Sequence, residues 1–241
     1  MNNSTNGYLL HPLDGAVERV ARADEHLADL RLLLIEVLRQ QADAIIVEFY
    51  SDPPHPIRLR PPAETFFKMR IGILVGEICY NLRSALDYLI FALARLDSGI
   101  PQDGTQFPIV DTKKDFDQRT KGWLKGVNPT HVAAIEQLQP YMGCNWTKTL
   151  RDLSNPDKHR NFVGMGGNFT ASGYSRVEDS NFDAIQAPIR RAIHPIHGEV
   201  DVKVHFTGKI QFSDGTPVIE TLEIVKLQVA ETLEAFKLEF K

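Results

Sequence analysis

The chain has 241 residues, of which 43% are hydrophobic and 24% charged, the balance of a globular domain with a sizeable core. A net charge of −4 argues against a protein that wraps duplex DNA, but leaves room for a local phosphate pocket. Two cysteines make no disulfide framework, which points to a reducing, cytoplasmic setting.

MNNSTNG, Met1 to Gly7, is polar and expected to fray, and no basic segment followed by an apolar one marks a signal peptide. A first helix is expected from Leu13 to Gln41, with Val17, Val20, Leu27, Leu30, Leu34, Val37 and Leu38 on its core stripe and Asp14 as N-cap. AIIVEFY and IRLRP, separated by the proline-rich SDPPHP, predict a β-hairpin over residues 44–60, with Arg58 and Arg60 on its wet face. A second long helix is expected from Pro62 to Asp97, with Ile71, Leu74, Val75, Ile78, Leu82, Leu86, Leu89 and Leu93 facing the core. Its apolar run is broken by Glu77, Asn81, Arg83, Asp87 and Arg95, too many polar groups for a membrane span.

QFPIV, Gln106 to Val110, reads as extended, and Lys113 to Trp123 as a short helix. Asn128-Pro129 and Asn155-Pro156 are helix starts, with a further helix from Asn145 to Ser154 and GMGG, Gly164 to Gly167, ending the second turn. Glu199 to Phe206 alternates, with Val200, Val202, Val204 and Phe206 on one face and Asp201, Lys203 and His205 on the other, a half-buried strand. SDGT predicts a turn, PVIETL a return strand, and Glu223 to Phe240 a final helix. The fold class is therefore α+β: two long antiparallel helices with an inserted hairpin, a C-terminal antiparallel sheet and a terminal helix. The expected organisation is a flexible 1–12, a helical core over 13–163, and a β-rich 164–241 packed on the same domain.

Two polar segments could carry chemistry. In EICYNLRSALDY, Glu77, Asn81, Ser84 and Tyr88 share one helix face, while Arg83 and Asp87, four residues apart, can pair. Polar groups in an apolar helix require partners. They form either a structural network tying this helix to the first, or a pocket in which Asn81, Asp87 and Tyr88 bind ligand. In RDLSNPDKHRNF, Asn155 opens a helix whose first turn carries Lys158, His159 and Arg160, a place to hold phosphate or carboxylate, with His159 as the titrating group. The alternative is a solvated helix end. HPIH, His194 to His197, reads as a loop without metal, since Pro195 disfavours a helix that would aim both rings together. Neither a phosphate-binding glycine loop nor a GxSxG, CxxC or HExxH motif is present, and no cofactor is implied.

NLRSALDYL and NPDKHRNF, together with QFPIV and QLQPY, resemble a family of uncharacterised bacterial and phage proteins over roughly Phe49 to Phe162. That resemblance implies no established activity. A more distant one is to HEPN domains, helical and often dimeric, many of them metal-independent ribonucleases with an arginine–histidine motif. Arg83 to Tyr88 has the spacing but ends in tyrosine, and Arg151 and His159 stand one residue too far apart. Two functions follow as expectations. One is a noncatalytic binding or accessory module acting as a homodimer. The other is an HEPN-like ribonuclease or phosphate-binding enzyme, with His159 as general base on RNA and Arg83, Lys158 and Arg160 stabilising the phosphate.

Overall fold

The structure, a computed structural model, describes residues 11–43, 46–49, 57–60, 67–154, 165–176, 189–212 and 214–240. Its elements run α1 (Asp14–Asp43), β1 (Ile46–Phe49), β2 (Ile57–Arg60), α2 (Phe67–Ser98), α3 (Lys113–Trp123), α4 (Pro129–Gln137), α5 (Asn145–Ser154), β3 (Met165–Arg176), β4 (Ile189–His194), β5 (Gly198–Ile210) and α6 (Val218–Lys237). Single 3-10 turns cover Pro140–Met142 and Leu238–Phe240. The class is α+β, and no described helix is long and apolar enough to cross a membrane.

The chain divides into two compact units. The first takes Met1–Asp29, Gly72–Asn161 and Ile219–Lys241. Within it α1 and α2 run antiparallel, since Arg19 meets Asn81 and His26 meets Glu77. On α2, Val75, Ile78, Leu82, Leu86, Leu89 and Leu93 are fully buried, as their spacing requires; each such side chain contributes about 1.5–3 kcal/mol. Leu27, Leu30, Leu34 and Val37 of α1 are buried as expected; nearer its start the buried positions are Ala16 and Ala23, with Leu13 just before the helix, whereas Val17, expected in the core, is 46% exposed. In those first turns small alanines occupy the inner face, where large apolar residues alone mislead. α6 buries Leu222, Val225, Val229, Leu233 and Phe236, and Lys226 pairs with Asp24 of α1.

The second unit takes Leu30–Ile71 and Phe162–Val218. β1 and β2 pair antiparallel, Ile46 opposite Arg60 and Phe49 opposite Ile57, which is the expected hairpin. β5 is the central strand of a three-stranded antiparallel sheet in the order β3-β5-β4. Central placement explains why Asp201, expected on the wet face, is buried: it lies between Ser175 and Arg191 in register, with Arg191 Nε 3.6 Å away. Met165 to Gly167, read as the end of a helical turn, begin β3 instead.

The chain reverses between Phe212 and Thr216, where the Phe212 N–H donates to Thr216 O at 2.8 Å; Ser213 of the expected SDGT turn lies outside the described residues. The return strand that PVIETL predicted does not form; Pro217 makes one isolated bridge to Gln211 and α6 begins at once, at Val218. The β-branched residues suggested a strand, but Val218, Leu222, Val225 and Val229 already carry the helical period, and burial of that stripe overrides local preference.

Candidate functional site

The polar row of α2 and the extended stretch after it form a single knot. Arg83 donates a guanidinium N–H to the carbonyl of Phe107, and Asp87 accepts the N–H of the same residue at 2.8 Å. The two side chains grip both backbone polar groups of one residue, Phe107, rather than each other, and they tie α2 to the 106–110 stretch rather than to α1. Gln139 continues the pattern: its amide donates to Pro108 O at 2.9 Å and Ile135 O at 3.1 Å, and accepts from Val110 N–H at 3.2 Å. Buried Phe107 to Ile109 have no strand partner among the described residues, and side chains supply the hydrogen bonds a ladder would otherwise make. Arg151 holds the far end through Asp111 at 2.8 Å. NLRSALDYL, QFPIV and QLQPY thus converge on one structural purpose.

The electrostatics follow from burial. Desolvation lowers the Arg83 pKa, and Asp87 opposes that shift. Desolvation likewise raises the Asp87 carboxyl above its ordinary value, against the pull of the Phe107 N–H and Arg83. Cys79, inside the same helix, has its thiol pushed up to about 12 by burial.

Asn81 accepts from Arg19 at 3.2 Å and donates to Glu77 O at 2.9 Å. Arg19 also lies over the rings of Tyr80 and Tyr88, 5.9 and 5.8 Å from their centroids. Tyr88 packs closely against α1 at Gly15, where an added methyl would stand 2.9 Å from its Cε1 and the ring would have to shift. Asp87 and Tyr88 line a shallow groove of about 400 Å³ with Phe91 and Gln102 to Thr105. Arg83 does not line that groove. Asn155, Lys158, His159 and Arg160 lie outside the described residues.

HPIH forms a turn at the end of β4. His194 is buried, accepts at Nδ1 from the N–H groups of Ile196 and His197 at 3.1 and 3.2 Å, and packs edge-on against Phe49. Despite Pro195, the His194 and His197 rings stack at 4.6 Å, because a turn rather than a helix brings them together.

A second polar cluster, which the sequence did not single out, joins the end of α2 to the start of α4. Asn128 caps α4 by accepting the N–H of His131 at 2.9 Å. Asp97 accepts Asn128 N–H and Asn128 Nδ2, both at 2.8 Å, and meets His131 Nδ1 at 2.7 Å. A carboxylate only accepts, so the Nδ1 proton is on the ring and points at Asp97. The opposite ring nitrogen, Nε2, has no hydrogen-bond partner among the described residues; the nearest carboxylate is that of Glu239, at 3.6 Å. The imidazole is 8% exposed and lines a cavity of about 520 Å³ with Leu138, Trp146, Phe236, Glu231 and Glu239. The clue in the sequence was His131 at i−4 from Ile135, on the inner stripe of a capped helix.

No family model, curated protein or solved structure matches the chain.

Proposed function

We propose that the chain is a noncatalytic binding module that acts as a homodimer, paired through α2. The observation that carries this reading is an exposed aromatic stripe. Ile73, Tyr80, Tyr88 and Phe91 are 56%, 62%, 44% and 40% exposed, and with Glu77 and Ser84 they follow one line of three- and four-residue steps. Such spacing is a pairing seam. Laid antiparallel on a second copy about Ser84, the stripe sets Tyr80 against Tyr88 and Glu77 against Phe91, one turn from Arg95, so opposite charges flank an apolar centre. The seam from Ile73 to Arg95 extends about 33 Å.

The ribonuclease alternative needs Arg83 free to meet a phosphate. Its engagement with the Phe107 carbonyl supports the noncatalytic reading instead. Ser84→Cys protein in a Cys144→Ser background, treated with a short bis-maleimide, tests the pairing. A covalent dimer is expected, and exclusively monomeric product would overturn it. Total RNA incubated with the protein, with and without EDTA, should stay intact; cleavage lost in His159→Ala would establish the enzyme instead.

A further inference from the structure

We infer that the cavity between α4, α5 and α6 is a binding site for a small organic cation: an ammonium group carried on an apolar or aromatic body. This inference is independent of the pairing seam on α2.

At about 520 Å³ the cavity has the volume of an ordinary small-molecule pocket. Its walls are largely apolar, with Leu138, Trp146 and Phe236 offering flat hydrophobic surface. Beside the neutral Thr130, Gln137, Gln228 and Thr232, its carboxylates all carry one sign of charge. Glu231 and Glu239 line it, Asp97 stands behind His131, and no lysine or arginine is among the lining residues. Even with His131 doubly protonated, two carboxylates at the cavity and a third behind the ring leave excess negative charge. A phosphate or carboxylate ligand would be repelled, whereas a cation would be drawn in.

The buried ring of His131 supplies the directional element. Its Nδ1–H is fixed on Asp97, which Asn128 holds through two hydrogen bonds. That arrangement sets the tautomer and leaves the Nε2 lone pair as an acceptor on the Glu239 side of the ring. A buried acceptor with no donor is costly unless a donor arrives. An ammonium group has up to three N–H donors and can meet Nε2 and a carboxylate together, while Trp146 and Phe236 receive the apolar body and the ring faces attract the positive charge.

Isothermal titration of the full chain with phenethylamine, 2-phenylethanol and 3-phenylpropanoate tests this, since the three share a phenyl body and differ in charge. Phenethylamine should bind saturably at about 1 mM or below, with the alcohol weaker by about tenfold and the carboxylate silent. Glu239→Gln, a change at a side chain 53% exposed, should keep the denaturation midpoint and weaken the amine by about tenfold. Carboxylate binding equal to amine binding, unchanged amine affinity in Glu239→Gln and Glu231→Gln, or no heat from the amine would each overturn the inference.

Discussion

Two carboxylates on α2 do similar work with different consequences. Asp87, near the middle, and Asp97, near the end, each accept a backbone N–H from a segment further along the chain, at 2.8 Å in both cases. Asp87 shares its target residue with Arg83, and the pair is closed onto the N–H and C=O of Phe107. Asp97 instead holds a histidine whose far nitrogen, beside a cavity, has no donor among the described residues. Polar residues inside an apolar helix are thus not by themselves a sign of chemistry. What distinguishes a site from a brace is whether an acceptor or donor remains open once the fold is complete.

That contrast can be broken most forcefully at Asp97. Asp97→Ala removes the acceptor of three donors at once and should lower stability by about 4 kcal/mol in urea titration. Near-wild-type stability would mean the α2–α4 junction is not held as described. Arg83→Met should cost about 3 kcal/mol, because it leaves Asp87 buried without a cation and the Phe107 carbonyl unpaired. The double variant Arg83→Met with Asp87→Leu should lose less than the two single losses combined, and strict additivity would deny the shared grip. Asn128→Ala removes only the cap and one donor, for about 1 kcal/mol.

Acid sharpens the same comparison. Burial raises the Asp87 pKa, so the folded state holds this proton more tightly than the unfolded chain does. Its favourable contribution is therefore complete below the ordinary carboxylate range and disappears as pH rises through the raised value. Relative to Asp87→Asn, the wild type should gain stability as pH falls from about 7 to about 4. A gap that widens in the variant's favour would reverse the assigned cause. The smallest effect is kinetic. With its thiol pushed up to about 12, Cys79 should resist alkylation at neutral pH in the native protein, while Cys144, only partly buried, reacts. Equal rates for both would show the helix opening easily.

Much of this was legible before any coordinates. Helical periodicity located α2 and the α2 core, and Asn128-Pro129 marked the start of α4. Arg83 and Asp87 are recognisable in the sequence as needing partners. Residues four apart meet on a helix, so the sequence pairs them with each other, and nothing local places Phe107 against them from across a turn. His131 carries no local signal, because its partner, Asp97, is remote in sequence and its cavity is built from three helices. At Val17 of α1 the pattern misleads because alanines, not large residues, line the inner face of the first turns. Local pattern reports which residues must be satisfied; only the fold reports by what.

The seam on α2 is tested most directly by sedimentation equilibrium of the full chain beside Tyr80→Glu/Tyr88→Glu, which places charge in the centre of the stripe. The wild type should sediment at twice the 27.2 kDa of one chain, and the variant at 27.2 kDa with its folding midpoint retained. A wild type that stays at 27.2 kDa at every concentration would contradict pairing through α2.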